Sequence, residues 1–275
     1  ELRESLRAAG LEPREGVPGL FLLREHGRFP IVPADGVKLE GETKAKAEEM
    51  RDELASLLVE KGVEAVPDKD LAGAWLAGAD LSEAQLQKAD LFRAQLQKAN
   101  LRGSQLQEAD LREAQLQQAD LRGAQLQEAD LSRAQLQLAY LTKAQLQKAN
   151  LSEAKLQGAS LSEAQLQKAD LQQAQLQGAC LRGAQLQESN LSWARLQEAD
   201  LSRAQLQKAN LSEAKLQEAN LGGAQLQEAD LRVAQLQKAN IKFAGLEGTD
   251  LTNANLRGAT FTSTSLTNAK LNEAA

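Results

Sequence analysis

The sequence predicts a β-solenoid preceded by a small α/β unit. Three observations carry that prediction. From Leu71 to Leu271 every fifth residue is apolar, 41 positions of which 39 are Leu, the exceptions being Ile241 and Phe261. Two residues before each stands Ala in 36 of those units; Lys69, Ser104, Ser189, Thr249 and Thr264 are the departures. The 275-residue chain is 42% hydrophobic but only 3% aromatic, so its interior must be built almost wholly from Leu and Ala.

All five prolines, Pro13, Pro18, Pro30, Pro33 and Pro67, precede residue 70, together with the only His and the only Met. Residues 1–70 carry 16 acidic and 11 basic residues, leaving 22 and 21 for residues 71–275, where the chain becomes low in complexity. The boundary is therefore set near Pro67-Asp68, giving a head at 1–67 and a repeat domain at 68–275. Within the head, Leu2, Leu6 and Ala9 fall at helical spacing before Gly10. Leu20 to Leu23 and Phe29 to Val32 flank a Gly-containing turn and read as a hairpin, with Pro30 confining its strand to an edge. From Glu42 to Lys61, the positions of Met50, Leu54, Leu57 and Leu58 match one helix face, and Gly62 ends it. Val63 to Val66 reads as a strand leading into the repeats.

The five-residue period decides the second domain. Composition alone favours helix, because Ala, Leu, Gln, Glu, Lys and Arg are strong helix formers. But five residues advance a helix by about 500°, so successive leucines would step round by about 140° and leave no apolar face. A straight strand fails as well, since an odd period sends alternate leucines to opposite sides. Ala and Leu, two apart, share a face in extended conformation. If the chain turns after every unit, each Ala–Leu pair points at a common axis and the other three residues point outward. The result is a solenoid with short flat sides, coils paired through their backbones. Asp or Asn before Leu, as in Ala79-Asp80-Leu81, is expected at a corner, where its side chain bonds nearby backbone.

Units such as Ala79-Asp80-Leu81-Ser82-Glu83 and Ala209-Asn210-Leu211-Ser212-Glu213 closely resemble the pentapeptide repeat family, over roughly residues 69–273. The resemblance implies a right-handed quadrilateral β-helix with four pentapeptides per coil. On that basis 41 units make about ten coils, a rod on the order of 50 Å long at ~4.8 Å per coil.

A second period of ten alternates Ala-Asp/Asn-Leu with Ala-Gln-Leu-Gln units, so two opposite sides are Asx-rich and two Gln-rich. Gln85, Gln105, Gln125 and Gln145 are expected to stack as one amide ladder, and Gln87, Gln107, Gln127 and Gln147 as another. Lys88, Glu108, Glu128, Lys148, Lys168, Glu188, Lys208 and Glu228 share a column whose mixed signs predict pairing between coils.

Catalytic signatures are missing. The chain has no GxGxxG, P-loop, CxxC or HExxH, so neither cofactor nor metal is expected. Cys180, read as an outward corner residue, and His26, in the hairpin turn, have no sequence reason to meet as a nucleophile and base. One Cys permits no internal disulfide. No apolar run reaches membrane-spanning length, no leader is read, and the cytoplasm is the expected compartment.

Function is expected in the residues that break the repeat. Leu138, Tyr140, Trp193, Val233 and Phe243 replace polar residues at outward positions and are the candidate partner surface; Phe92 and Trp75 also break the pattern. Phe261, Leu266 and Leu271, in a final coil disturbed by Thr260 and the Thr262–Ser265 run, are the candidate end-to-end contact. Either self-association there or a chain continuing beyond Ala275 is expected. The reading is a non-enzymatic protein-interaction or scaffold protein with an unidentified protein partner. The alternative, a DNA-mimicking, topoisomerase-interacting protein as in some members of the resembled family, fits less well. The rod is nearly neutral, its central residue is Leu rather than mostly Phe, and no apolar helix ends it. Direct nucleic-acid binding would need a basic stripe, which the sequence lacks.

Overall fold

The computed structural model describes residues 48, 51, 52, 55, 56, 58–60, 62 and 70–274. The expected helix at Leu2–Ala9, the hairpin with His26, the strand Val63–Val66 and the boundary at Pro67 lie outside these residues.

Every fifth residue from Asp70 to Asp250 forms a parallel bridge with the residue twenty positions on, Asp70 with Asp90 and so on to Asp250 with Lys270. Twenty residues close one coil, so four pentapeptides make each turn of the solenoid. Three backbone bonds per unit tie neighbouring coils. Leu81 N–H donates to Asn100 O at 2.7 Å, Glu83 N–H to Arg102 O at 2.8 Å, and Asn100 N–H to Ala79 O at 2.9 Å. The corner between flats is a β-turn closed by a bond from Ala to the preceding Leu, as in Ala84 N–H to Leu81 O at 3.1 Å. Its third residue has positive φ throughout, 62° at Glu83 and 59° at Gln118, which makes the turn type II.

This geometry locates each residue of the unit and corrects one expectation. The residue before Leu is not at the corner; it is the bridging residue at the centre of a flat, and the corner is the two residues after Leu. Asp80 nevertheless serves the corner, because its short side chain reaches forward and Oδ1 accepts from Ser82 N–H at 3.1 Å.

The core is a stack of Leu beside a stack of Ala. Central residues from Leu71 through Leu251 are at most 2% exposed. Where Ser or Thr replaces Ala, the buried hydroxyl donates to a main-chain carbonyl: Ser104 to Leu101 and Thr249 to Leu226, both at 2.8 Å. Burial stops at the C-terminal end, where Phe261, Leu266 and Leu271 are 40%, 36% and 45% exposed.

At the other end a helix covers the stack. All described residues between 48 and 60 are helical, as the amphipathic pattern predicts. Ala55 and Leu58 join the same apolar cluster as Leu71 and Leu76. Arg51 donates through Nη1 to Ala77 O at 2.9 Å and lies 5.6 Å from the Trp75 ring centre. The helix closes at Gly62, whose N–H donates to Leu58 O at 3.1 Å with φ at 71°. A Cβ there would also come within 3.0 Å of Gln85 Cβ, so glycine is required twice over.

Because each coil supports the next, a void inside one coil weakens the whole stack. Leu161→Ala is expected to destabilise the fold by about 2–5 kcal/mol, read from the midpoint and slope of urea unfolding. A loss near zero would mean that the interior can collapse around the gap.

Candidate functional site

Three surface systems were built on this frame: the Asx walls, the Gln walls and the four corner columns. On the Asx walls, asparagines in one coil donate to the Asx residue of the coil before. Asn100 Nδ2 reaches Asp80 Oδ1 at 2.9 Å, and Asn240 reaches Asn220 at 2.9 Å. Asp110, Asp120 and Asp230 are gripped by the Arg two residues on, with Nη2–Oδ2 contacts of 2.5 Å. Hydrogen bonds from Arg112, Arg122 and Arg232 hold those carboxyls below the usual range. Bonds from Ser82 and Thr252 do the same for Asp80 and Asp250.

On the Gln walls the amide ladders differ from expectation. Stacking does not run within the column of Gln85 or within that of Gln87; hydrogen bonds cross from one column to the other. Gln87 Nε2 donates to Gln105 Oε1 at 2.5 Å, and Gln107 Nε2 to Gln125 Oε1 at 2.7 Å. The Gln after Leu starts from the turn, and its long side chain reaches the bridging Gln of the next coil, which gives each donor an acceptor eighteen residues on. The second Gln wall keeps this ladder continuously from Gln87 to Gln225.

The first Gln wall does not. Its acceptor column runs Gln95, Gln115, Gln135, Lys155, Gln175, Arg195, Lys215, Gln235. At the three cations the rung is lost, and Gln137, Gln177 and Gln197 have no amide hydrogen bond among the described residues. This wall also borders a groove of about 1180 Å³ that follows the rod axis between the bridging column Gln95 to Lys215 and the corner column Gly73 to Trp193. The first half of the groove is neutralised by Arg93–Glu113 at 2.7 Å and Arg133–Glu153 at 3.0 Å. Lys155, Arg195 and Lys215 have no ion-pair partner among the described residues. Sequence reading missed the cations along this groove. The available signal was that three acceptor-column glutamines on one wall become basic while the opposite wall keeps its own.

Corner columns carry the expected charge pairing. In the column of Lys88, pairs form at Lys88–Glu108, Lys148–Glu128, Lys168–Glu188 and Lys208–Glu228, at 2.7–3.7 Å. Both members of each pair are exposed, so each contributes little to stability.

The apolar departures are exposed: Leu138 53%, Tyr140 51%, Trp193 52%, Val233 48% and Phe243 66%. Leu138 stands on a corner and Tyr140 on the adjoining flat. Leu138 leans over Gly158, where a Cβ would lie 2.8 Å from its Cδ2, and Arg122 approaches within 5.9 Å of the Tyr140 ring centre. Trp193 and Val233 share a corner column two coils apart with Glu213 between them, and Phe243 stands on another corner. Phe92 is half-buried between Arg93 and Arg112, at 4.8 and 5.4 Å. Cys180 is corrected: it is a bridging residue on an Asx wall, with Ser162 Oγ 3.1 Å from its Sγ. Among the described residues, no cluster of His, Cys, Asp and Glu has the composition of a metal site, and no helix is long and apolar enough to cross a membrane.

A chain that stacks parallel coils of four pentapeptides over one Leu–Ala interior is a β-solenoid repeat protein. The pattern of the pentapeptide repeats family matches it in eight copies that together run from residue 70 to residue 274, and the chain belongs to that family. Among solved structures it is similar to HetL, a pentapeptide repeat protein involved in heterocyst differentiation regulation from the cyanobacterium Nostoc sp. Strain PCC 7120. Identity is 38%, over 74% of this chain and 86% of HetL, with a TM-score of 0.47. A trypsin-treated form of QnrB1, a plasmid-mediated fluoroquinolone resistance protein, is 18% identical over 70% of this chain and 91% of its own, with a TM-score of 0.45. A pentapeptide repeat protein from the Arabidopsis thaliana thylakoid lumen is 30% identical over 39% of this chain and 65% of its own, with a TM-score of 0.21. No curated protein matches the chain significantly.

Two outcomes follow from the walls and corners. The native pKa values of Asp80, Asp110, Asp120, Asp230 and Asp250 lie below their unfolded values. Their stabilisation is therefore complete above the unfolded value of about 3.9 and lost as pH falls through the native ones. Thermal midpoints are expected to be level from about pH 7 to 5 and to drop below about pH 4; a midpoint that rises on acidification would contradict this. Val233, β-branched at φ 62°, holds a conformation that costs a non-glycine residue about 1–2 kcal/mol. Val233→Gly is expected to raise the unfolding free energy by up to about 1 kcal/mol after the added chain entropy, measured by urea titration.

Proposed function

We propose that the protein is a non-enzymatic interaction scaffold: a rigid pentapeptide-repeat rod whose rule-breaking surface residues recognise a protein partner. One observation carries this reading. Leu138, Trp193, Val233 and Phe243 each occupy the third residue of a type II corner, at φ 58–62°, and each is about half exposed or more. Folding gains nothing from them there. Water opposes the exposed apolar surface, the backbone opposes a branched or bulky side chain, and Gly, Lys or Glu fills the same site elsewhere. Residues that cost the fold twice are the ones whose use lies outside it.

In this reading the rod is right-handed and of about ten coils, with residues 1–67 as a small α/β head. The exposed final coil, through Phe261, Leu266 and Leu271, is a self-association surface. The DNA-mimicking reading gains no support from the corner columns, where Lys and Arg alternate with Glu in pairs that leave no strongly negative face.

The test is recovery of partners on the immobilised full chain from an extract of the source cells. The paired changes Leu138→Asp and Tyr140→Ser, with Phe243→Lys, are expected to lower recovery at least several-fold while the far-UV spectrum stays unchanged. Equal recovery by the variant would overturn the reading, as would inhibition of a supercoiling assay at stoichiometric concentration, which belongs to the DNA mimic.

A further inference from the structure

We infer that the stretch of the first Gln wall from Lys155 to Lys215 binds an extended acidic segment of a partner protein, each carboxylate being taken by a rung of cation and amide donors. The inference deepens the interaction role proposed above by giving one partner surface a chemistry.

The argument begins with what a Gln-to-cation change does to a rung. In an intact rung, the Gln after Leu donates through Nε2 to the Oε1 of the bridging Gln in the next coil, so the wall supplies an acceptor for its own amide donor. At residues 155, 195 and 215 the acceptor is replaced by Lys, Arg and Lys, which only donate. The partner amides, Gln137, Gln177 and Gln197, then lose their acceptor. Their Oε1 atoms are buried without a donor, as those of Gln97, Gln117 and Gln157 in intact rungs also are; what the lost rungs change is Nε2, which has no hydrogen bond among the described residues. Three rungs on one wall therefore turn amide and cationic donors outward instead of to a neighbouring Gln, and a carboxylate can accept from both.

Charge supports the same ligand. The groove beside this wall is self-neutralised in its first half by Arg93–Glu113 and Arg133–Glu153, so Glu153 is already engaged by Arg133 where Lys155 begins. Beyond that point the facing corner column offers Gln173 and Trp193, neither of them anionic, before reaching Glu213. Lys155, Arg195 and Lys215 themselves make no ion pair among the described residues, although Glu198, Glu213 and Glu218 stand on the flanking corners, so an incoming carboxylate meets cations not already engaged.

Spacing favours a polypeptide over a nucleic acid. Lys155 to Arg195 spans two coils and Arg195 to Lys215 one, about 14 Å in all. Carboxylates on alternate residues of an extended chain recur about every 6.8 Å, so three of them cover that distance within the reach of Lys and Arg side chains. A continuous phosphate backbone would also meet Glu198, Glu213 and Glu218 on the flanking corners. In a peptide the intervening neutral residues lie there instead. Single-stranded nucleic acid further calls for successive stacking platforms, and Trp193 is the one aromatic beside the strip.

The probe is a fluorescein-labelled peptide of about eight alternating Glu and Ala residues, titrated with the full chain at low ionic strength and followed by anisotropy and by Trp fluorescence. Saturable binding that weakens with salt is expected. The triple change Lys155→Gln, Arg195→Gln and Lys215→Gln rebuilds the missing rungs, so it is expected to fold with an unchanged or higher melting temperature and to bind at least about tenfold more weakly. Transplanting the cations to the opposite wall of that variant, with Gln165→Lys, Gln205→Arg and Gln225→Lys, is expected to restore most of the affinity.

Three outcomes overturn the inference: no binding, undiminished binding by the triple variant, or equal binding of the matching Gln–Ala peptide. Tighter binding of an oligothymidine of equal length would replace the peptide by nucleic acid. Sedimentation showing dimers in the wild type but not in the triple variant would make a second copy the occupant, and both results count against the proposal. None of these changes touches Leu138, Tyr140 or Phe243, so failure here leaves the apolar-corner reading standing, and failure of that pull-down leaves this strip standing.

Discussion

The twenty-residue register of the backbone ladder is the constraint on which everything else in this molecule rests. A coil that must hydrogen-bond to the next through three main-chain bonds per pentapeptide has to repeat its own outline every ~4.8 Å. That repetition forces a type II turn at each corner, and so a left-handed residue there whether or not it is glycine. It also admits one interior shape, which Leu and Ala fill in every coil. An outline that repeats in every coil needs no variety of side-chain shape to fill it. Hence the near absence of aromatics inside.

The same register decides how polar residues behave on the outside. Asp and Asn are short enough to cap the next corner from their own flat, which satisfies a turn N–H within the unit. Gln is one methylene longer and directs its amide to the neighbouring coil instead, turning a wall into a ladder whose strength depends on an unbroken supply of acceptors. A single substitution in the acceptor column thus changes the chemistry of two residues eighteen apart. This is how Lys155, Arg195 and Lys215 convert part of a closed wall into one with open donors. The ends obey the same logic. At the start, Ala55 and Leu58 of the helix continue the apolar stack, while at the finish the central residues themselves are exposed.

Much of this was legible in the residues. The five-residue spacing excluded helix and straight strand, and Ala two before Leu placed both on one inner face. The amphipathic pattern ending at Gly62 located the helix, and the mixed column from Lys88 to Glu228 foretold its ion pairs. Other features were not legible. Asp80 and Cys180 were assigned to corners, because a five-residue period says that the chain turns without saying which two residues make the turn. The amide ladders were drawn within columns, because the direction of a hydrogen bond between coils depends on a side-chain path that spacing does not contain.

What the sequence determined by itself was the interior: one apolar residue in five with a small residue beside it leaves a single way to bury both. What only the tertiary structure decided was which surface residues become neighbours. Residues twenty and eighteen apart meet only once the coil has closed, so the groove, the lost rungs at 155, 195 and 215, and the strained corners at Trp193 and Val233 emerge from stacking, where each coil's surface is completed by the next.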